Sequence, residues 1–250
     1  MLSLKNVFVR KGGKDILKDI TWVTCPGEHW FVMGGNGSGK TTLMELLAGY
    51  VWPQRGEVAV LGEKFGRVNL LDLRGRVGFV SPWIFRRMAQ EVPLEDVVAS
   101  GFDGSVGHCG RKSAKVSAAV RRQLRFFGCE DLKGREFGTL SSGQQLKAVL
   151  ARALVHLPRI LILDEPFSLL DIGARLDMYS LLLKLAEAKN APQIIMVTHH
   201  REDILPVFTR GLLLKDGRIL YKGPREKAFQ PGVLAKCFGL SVATLKKVLV

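Results

Sequence analysis

The residues with the clearest chemical potential form a glycine-rich segment, "GGNGSGKT", which runs from Gly34 to Thr41. It satisfies the pattern G-x-x-x-x-G-K-[ST] and lies between a predicted strand and a predicted helix, as that pattern requires. Glycines allow consecutive backbone N–H groups to face an anion, and the helix adds the positive end of its dipole. We expect this loop to bind the phosphates of ATP or GTP. A glycine-rich turn without a ligand is the alternative, which the lysine, the threonine and the flanking elements disfavour.

Two side chains of this loop have expected roles of their own. Lys40 is long enough to reach the β- and γ-phosphates, and the hydroxyl of Thr41 is a ligand for Mg²⁺. The expected nucleotide-binding residues are Gly34, Gly35, Asn36, Gly37, Ser38, Gly39, Lys40, Thr41 and Thr42.

Two acidic residues close a second apolar run, "ILILDEP". Its four apolar residues predict a buried strand, and Asp164 and Glu165 follow at the carboxyl end, where open α/β sheets bind ligands. Asp164 is expected to hold Mg²⁺, directly or through water. Glu165 is expected to accept a proton from an attacking water, because a second acid near a γ-phosphate suits general-base catalysis. Helix capping is the alternative role for paired acids, and the phosphate loop in the same chain disfavours it.

Short secondary-structure elements must position these two motifs. Apolar runs predict strands in "LSLKNVFV", "HWFVMG", "GEVAVLG", "RVGFV", "RILILDEP" and "QIIMVTHH". Helical periodicity follows the phosphate loop, recurs in "SLLDIGARLDMYSLLLKLAEA" and covers most of the segment from Pro93 to Leu157. The segment "GLLLKDGRILYKG" predicts a hairpin that turns at Asp216-Gly217. Strands that alternate with helices indicate an α/β core, into which a helical block is inserted.

A third motif, "LSSGQ" from Leu140 to Gln144, lies between the phosphate loop and the acidic pair. With these neighbours the sequence strongly resembles the ATP-binding cassette (ABC) ATPases, whose signature is close to LSGGQ. The segment "SLLD", which ends at Asp171, is similar to the family's D-loop, and His199 in "VTHH" stands where the family has its switch histidine. Five motifs in the family's order and spacing extend the resemblance over nearly the whole chain.

The resemblance implies a P-loop NTPase (RecA-like) core of the α/β class, with an N-terminal antiparallel β-subdomain and an inserted α-helical subdomain. The expected single domain covers residues 1–250. Within it, residues 1–85 form the β-subdomain and the phosphate-loop part of the core, residues 86–157 form the helical subdomain that ends in the signature helix, and residues 158–250 complete the core.

The resemblance also implies an ATPase in which two copies sandwich two MgATP head to tail. Glu165 and His199 are then the catalytic residues, and Asp171 is the D-loop acid. The signature residues expected to reach the γ-phosphate of the other copy are Ser141, Ser142, Gly143 and Gln144. The residues themselves agree, since "LSSGQ" followed by a long helix predicts a second anion-binding helix end.

Two positions depart from the family's pattern. The family usually stacks the adenine on an aromatic side chain, and the register places Lys11 there; Lys11 is expected on the adenine side, either over the base or directed to solvent. The family's Q-loop glutamine falls in register with Pro82, which offers no side-chain ligand. We therefore expect the strand "VGFV" to end before Pro82 and the coupling of this ATPase to be unusual.

The net charge of +14 favours anionic partners. Residues 104–129 contain no acid. The basic residues in that segment are Arg111, Lys112, Lys115, Arg121, Arg122 and Arg125. A solvated basic helix is the favoured interpretation, and a surface for nucleic acid or lipid headgroups is the alternative. No aromatic residue is interleaved with these cations before Phe126, which disfavours base stacking there.

Other sequence features bear on localisation and partners. The four cysteines are scattered without a CxxC pair, which predicts free thiols rather than a zinc site. No apolar run approaches the roughly 18 to 20 residues of a membrane span, and the N-terminus lacks a signal-peptide core. We expect a cytoplasmic protein, peripheral on the cytoplasmic face of the membrane.

The leading hypothesis is an ATP-dependent homodimer that powers a transporter formed by separate permease chains. The alternatives are a stand-alone ABC ATPase acting on nucleic acid or ribosomes, or a regulator.

Overall fold

A computed structural model describes residues 1–102 and 113–244 of the protein. The chain forms two compact units. The first unit contains Met1–Leu70 and the residues from Gln193 onward, and the second unit contains Leu71–Pro192. Arg111 and Lys112 of the basic segment lie outside the described residues.

The first unit contains an antiparallel sheet in the order β2-β1-β4-β5. Its strands are β1 (Leu2–Lys11), β2 (Lys14–Val23), β4 (Arg55–Val60) and β5 (Glu63–Lys64). In β1 and β2 buried apolar residues alternate with exposed ones, as expected of a sheet with one face on the core. Leu4, Leu17 and Ile20 are fully buried, and each such side chain contributes about 1.5–3 kcal/mol of hydrophobic stabilisation. The predicted antiparallel sheet near the N-terminus is therefore confirmed.

The first unit also contains strands that pair in the order β10-β9-β3-β8. They are β3 (His29–Gly34), β8 (Gln193–Val197), β9 (Phe208–Lys215) and β10 (Arg218–Pro224). Strand β3 is parallel to both β8 and β9, and all six of its residues are buried, as the unbroken apolar run predicted. Strands β9 and β10 form the hairpin predicted at Asp216-Gly217. The helices of this unit are α1 (Lys40–Leu47), α8 (Arg225–Ala228) and α9 (Pro231–Phe238).

The second unit contains a parallel strand pair and most of the helices. Strands β6 (Val77–Val80) and β7 (Ile160–Asp164) pair in register from Val77–Ile160 to Val80–Leu163. The helices are α2 (Leu70–Arg76, which starts at the unit boundary), α3 (Pro82–Arg87), α4 (Leu94–Ala99), α5 (Ala114–Phe126), α6 (Ser142–Leu154) and α7 (Ile172–Glu187). The α/β class and the helical block between β6 and β7 agree with the sequence-based expectation.

The structure changes one element boundary that the sequence predicted, the start of α7, and confirms another, the end of β6. The helix predicted from Ser168 begins only at Ile172, because the Asp171 carboxylate accepts a hydrogen bond from the N–H of Ala174 and caps the helix there. Strand β6 ends at Val80, as expected. Pro82 then takes the first position of α3, where its missing N–H is not needed.

No helix within the described ranges is both long and apolar enough to cross a membrane.

His29 links β3 to β8 through its side chain. The ring is 9% exposed, and its Nδ1 atom accepts a hydrogen bond of 3.0 Å from the N–H of Ile194. Burial lowers the pKa of His29 below the ordinary value of 6.5. The folded state therefore holds a neutral imidazole, since a proton on Nδ1 would break the hydrogen bond and place a charge in the core.

We predict that this histidine makes folding stability depend on pH. Its contribution is fully present above the unfolded pKa of about 6.5 and is lost as the pH falls toward the lowered folded pKa, with a slope of at most about 1.4 kcal/mol per pH unit. Urea unfolding between pH 5 and 8 measures the effect. The variant His29→Asn, whose amide oxygen can accept the same hydrogen bond without titrating, should flatten the curve. His156→Gln is the control at an exposed histidine. An unchanged slope in His29→Asn would contradict the assignment.

Candidate functional site

The phosphate loop follows β3 and closes against neighbouring strands, so the glycines at its two ends, Gly34 and Gly39, have no room for a side chain. A Cβ on Gly34 would lie 2.3 Å from the carbonyl oxygen of Leu214 and 2.6 Å from Ser38 Oγ. Gly39 has φ +100°, and a Cβ there would lie 2.8 Å from Leu17 Cδ2. These contacts explain why glycine occupies both ends of the loop: the backbone itself forms the wall of the site.

Lys40 fills the centre of this loop. Its side chain is buried, and Nζ donates hydrogen bonds of 2.9 Å to the carbonyl oxygen of Gly34 and 3.1 Å to that of Gly35. Two of the three N–H groups of the ammonium therefore find acceptors within the loop. Its positive charge nevertheless remains in the loop, where it favours an anion.

Ser38 carries an unsatisfied polar group into the same loop. Its hydroxyl is buried and forms no hydrogen bond with any described residue. The first N–H groups of α1 have no intrahelical acceptor, and Gly39 supplies no side-chain cap. A buried donor and an uncapped helix end fit an anion with several oxygens, such as a nucleotide phosphate. Thr41 and Asn36 are exposed beside them.

Lys11 lies at the end of β1 in the first unit. Its ammonium forms an ion pair with the carboxylate of Glu45 on α1. The lysine side chain is 43% exposed and the glutamate side chain 23% exposed. The charge of Lys11 is thus directed to α1, the helix that follows the phosphate loop.

His199 follows β8 and is exposed. Because β3 and β8 are parallel neighbours, His199 leaves the sheet at the same edge as the phosphate loop that follows β3. Its ring lies 4.0 Å from the ring of His200, centroid to centroid. His200 is anchored by its own N–H, which donates to the Thr198 hydroxyl at 3.0 Å. The first unit therefore brings the phosphate loop and His199 to one sheet edge.

The acidic pair lies in the second unit, where β7 ends. Asp164 is 2% exposed, and Glu165 is half-buried. Glu165 has φ +49°, in the left-handed region that non-glycine residues rarely adopt. The backbone is therefore held in a costly conformation that turns the chain sharply after the buried strand, which is typical of functional sites.

Both acids line a cavity of about 40 Å³, a volume sufficient for water. The signature helix supplies Ser142 and Gln145 to the lining, and α3 supplies Pro82 and Phe85. Three segments that are far apart in sequence thus meet around the cavity that Glu165 lines.

The wall that α3 contributes to this cavity is apolar. Ser81 is 2% exposed, and its hydroxyl accepts a hydrogen bond of 3.4 Å from the N–H of Ile84, so it caps α3. The amide that lines the cavity is that of Gln145, whose Nε2 donates to the carbonyl oxygen of Phe137 at 3.1 Å. Sequence reasoning missed Gln145. The sequence feature that could have identified it is its position directly after the signature, one helical turn beyond Ser141.

The signature begins α6 with a reciprocal cap. Ser141 Oγ accepts from the N–H of Gln144 at 3.3 Å, and Gln144 Oε1 accepts from the N–H of Ser141 at 3.0 Å. Ser141 and Ser142 are exposed. Gly143 is buried, and a Cβ there would lie 3.0 Å from the Cβ of Ala174. The glycine thus packs α6 against α7, and the serines present the helix end to the surface.

The D-loop joins the acids to α7. The Ser168 hydroxyl donates to the carbonyl oxygen of Glu165 at 3.1 Å, and Asp171 caps α7. Leu169, Ile172 and Leu176 are 76%, 81% and 58% exposed. Exposed apolar side chains grouped in this way are typical of an interaction surface.

A further feature of the site is the supply of side chains that could bind a metal ion. Within the described parts of the chain, no three His, Cys, Asp or Glu side chains are grouped so as to hold a metal ion. Thr41 belongs to the first unit and Asp164 to the second. Each offers an oxygen, the donor type that Mg²⁺ prefers.

Comparison with known proteins gives consistent matches. The family model described as "ABC transporter" matches residues 17–168. The uncharacterized ABC transporter ATP-binding protein YlmA of Bacillus subtilis is 36% identical, over 98% of this chain and 93% of the relative. The thiamine import ATP-binding protein ThiQ of Jannaschia sp. is 32% identical, over 91% of this chain and 95% of the relative.

Solved structures agree with these sequence matches. A dimeric post-hydrolysis state of the ATP-binding cassette MJ0796, bound to ADP and Pi, has a TM-score of 0.76 and 26% identity. The match covers 90% of this chain and 98% of that cassette. The P-loop NTPase fold predicted from the sequence is thus confirmed.

The orphaned hydroxyl of Ser38 gives a direct test of the phosphate loop. Since Ser38 Oγ has no partner in the nucleotide-free loop, Ser38→Ala should change the free energy of unfolding by no more than about 0.5 kcal/mol. The same change should weaken ATP binding by about tenfold or more, because a hydrogen bond to a charged group is lost.

Urea unfolding without nucleotide and calorimetric titration with MgATP measure the two effects. Ser180→Ala, which removes a hydroxyl bonded to the carbonyl oxygen of Leu176 on α7, is the control and should leave ATP affinity unchanged. Equal affinities for Ser38→Ala and the parent protein would show that the hydroxyl does not face the phosphates.

Proposed function

The chain belongs to the ABC transporter family of ATP-binding cassettes, and from that premise we propose that it powers a membrane transporter whose pore is formed by separate permease chains. It is an ATP-binding subunit and an ATPase, as its family and its nucleotide-bound structural relative indicate. The observation that carries the assignment is the phosphate loop, in which glycine carbonyls hold the buried Lys40 ammonium and the buried Ser38 hydroxyl has no partner among the described residues.

The loop binds the triphosphate of ATP in this proposal. The residues from Gly34 to Thr42 supply backbone N–H groups, the Lys40 ammonium and the Ser38 hydroxyl. Thr41 and Asp164 would hold Mg²⁺, which would neutralise phosphate charge and so favour attack at the γ-phosphate. An ammonium already held by loop carbonyls is preorganised, so little reorganisation is needed when the phosphate arrives.

Glu165 acts as the general base. Its carboxylate lines a cavity that has room for water, and its backbone is fixed in a left-handed conformation. It accepts the proton of the attacking water, whereas Asp164, buried beside it, would hold the Mg²⁺. His199, at the sheet edge of the phosphate loop, donates to the γ-phosphate and stabilises the charge that develops there.

Two copies sandwich the nucleotides head to tail. The exposed helix end at Ser141 and Ser142, with Gly143 and Gln144, contacts the γ-phosphate held by the other copy, and Asp171 lies beside it in the D-loop. The exposed apolar side chains Leu169, Ile172 and Leu176 are available for burial in such a dimer. The dimeric cassette among the structural relatives supports this arrangement.

Adenine recognition rests on Lys11. The Lys11 ammonium pairs with Glu45, so the aliphatic part of the Lys11 side chain, rather than its charge, contacts the adenine base.

The partners follow from the family. Relatives named as import ATP-binding proteins support a permease on a separate chain and a position on the cytoplasmic face of the membrane. The second candidate is a stand-alone ATPase that acts on nucleic acid or ribosomes, or as a regulator. The net charge of +14 is the observation that favours it.

The dimer model predicts the behaviour of Glu165→Gln. Without the base, ATP should bind but hydrolyse at least about a hundredfold more slowly, so the ATP-bound dimer should accumulate. Size-exclusion chromatography with light scattering, in saturating MgATP, measures the dimer. The double variant Glu165→Gln/Lys40→Ala is the control and should stay monomeric. A Glu165→Gln protein that is monomeric in saturating MgATP would require another assembly.

The apolar wall at Pro82 predicts a gain of function. Pro82→Gln places an amide at the cavity lined by Glu165, where it can orient the attacking water, so kcat for ATP hydrolysis should rise about threefold to tenfold. A steady-state phosphate-release assay measures the change. Pro93→Gln, a proline replaced before α4 in the same unit, is the control. An unchanged kcat in Pro82→Gln would mean that another group, such as the Gln145 amide, already orients the water.

A further inference from the structure

A second polar pocket lies in the first unit, and none of its lining residues belongs to the phosphate loop. It is formed by the segment after α1, by β4 and β5, and by the turn that follows β5. Its volume is about 400 Å³, within the range typical of small-molecule sites. The mechanism proposed above makes no use of it.

One side of this pocket is an aromatic platform. Trp52 is 53% exposed, and its ring lies 5.4 Å from the ring of Phe65, at an interplanar angle of 36°. The N–H of Phe65 donates to the carbonyl oxygen of Val58 at 2.9 Å, which anchors the supporting ring to β4. A large apolar ring supported from one side and open to solvent on the other is suited to stack against a further flat ring.

The other side of the pocket is cationic. Arg55, Lys64 and Arg67 line it, together with the carboxylate of Glu57. Neither Arg55 nor Arg67 forms an ion pair or a side-chain hydrogen bond with a described residue. Lys64 approaches Glu57 only at 3.7 Å, with both side chains more than half exposed, so this pair contributes little. The cations therefore remain available to an anion.

The basic segment of residues 104–129 lacks this combination of aromatic rings and cations. There, cations occur without interleaved aromatic residues, whereas here two rings and three cations share one pocket. A flat aromatic ring joined to phosphate satisfies both sides at once, through stacking on Trp52 and ion pairing with the arginines. An acidic peptide would leave the rings unused, and a purely apolar ligand would leave the cations unused.

We propose that this pocket binds a nucleobase with its attached phosphate, presented by single-stranded nucleic acid or by a free nucleotide. This site is additional to the ATP site and does not depend on the proposed transport function. The net charge of +14 increases the rate at which such anions meet the protein.

The test uses the full chain and a fluorescently labelled ten-residue oligothymidylate, with binding followed by anisotropy. Trp52→Ala should weaken binding about tenfold, the typical loss of one stacked base, while Trp52→Phe should retain most of it. The double variant Arg55→Ala/Arg67→Ala should weaken binding and lower the slope of log Kd against log salt by about 1.4.

Matched controls come from the second unit. Trp83→Ala removes a tryptophan that is 43% exposed and lies under the guanidinium of Arg87. Arg121→Ala/Arg125→Ala removes two exposed arginines from α5. Both variants should bind the oligonucleotide as the parent protein does, and thermal unfolding of every variant should show that the fold is retained.

Competition identifies the source of the ligand. Thymidine monophosphate that displaces the probe at a concentration near the oligonucleotide Kd assigns the pocket to free nucleotides, and displacement only at much higher concentration assigns it to a strand; either result supports the proposal. Displacement by poly-glutamate as effective as by unlabelled oligonucleotide would overturn it, because charge alone would then explain binding. So would the absence of binding at low salt, or a loss confined to the Arg121/Arg125 variant.

Discussion

The phosphate loop folds around the ammonium group of Lys40, and the geometry of the nucleotide site depends on that contact. Two carbonyl oxygens of the glycine segment accept from Nζ, so the backbone curls with its carbonyls directed to the lysine. The buried Ser38 hydroxyl has no partner among the described residues, and the first N–H groups of α1 have no intrahelical acceptor, so both are donors available to a ligand. The curl is possible only because Gly34 and Gly39 present no Cβ to Leu214 and Leu17. The charge and the donors needed for a triphosphate are thus set before any ligand arrives.

In the second unit, polar residues of the motifs both cap helices and have proposed roles in the nucleotide site. Ser141 and Gln144 cap α6 reciprocally, and Asp171 caps α7. These caps fix the start of each helix, and the start of α6 is what the signature presents to a second copy in our proposal. Glu165 sits between them in a left-handed conformation that few residues tolerate, so the surrounding packing must hold it in place.

Pro82 is structurally favourable at its position but offers no side-chain ligand to the site. At the first position of α3, proline stabilises the helix start, and the Ser81 hydroxyl is already used as the cap. The same arrangement turns an apolar wall toward the cavity at Glu165, where the family provides an amide. Gln145 lines the same cavity, so one amide side chain remains among its lining residues.

The sequence by itself determined the motifs, the α/β class and the hairpin at Asp216-Gly217, because glycine patterns and apolar periodicity act locally along the chain; the antiparallel sheet was expected only from the family resemblance. It could not place the start of α7 at Ile172, since capping by Asp171 competes with a continuous apolar helical pattern. Only the tertiary structure decided that Lys11 pairs with Glu45, that Gln145 joins Pro82 at the acids, and that Trp52 and Phe65 share a pocket with three cations. These are contacts between residues distant in sequence, and strand pairing and helix packing, rather than local spacing, set their distances.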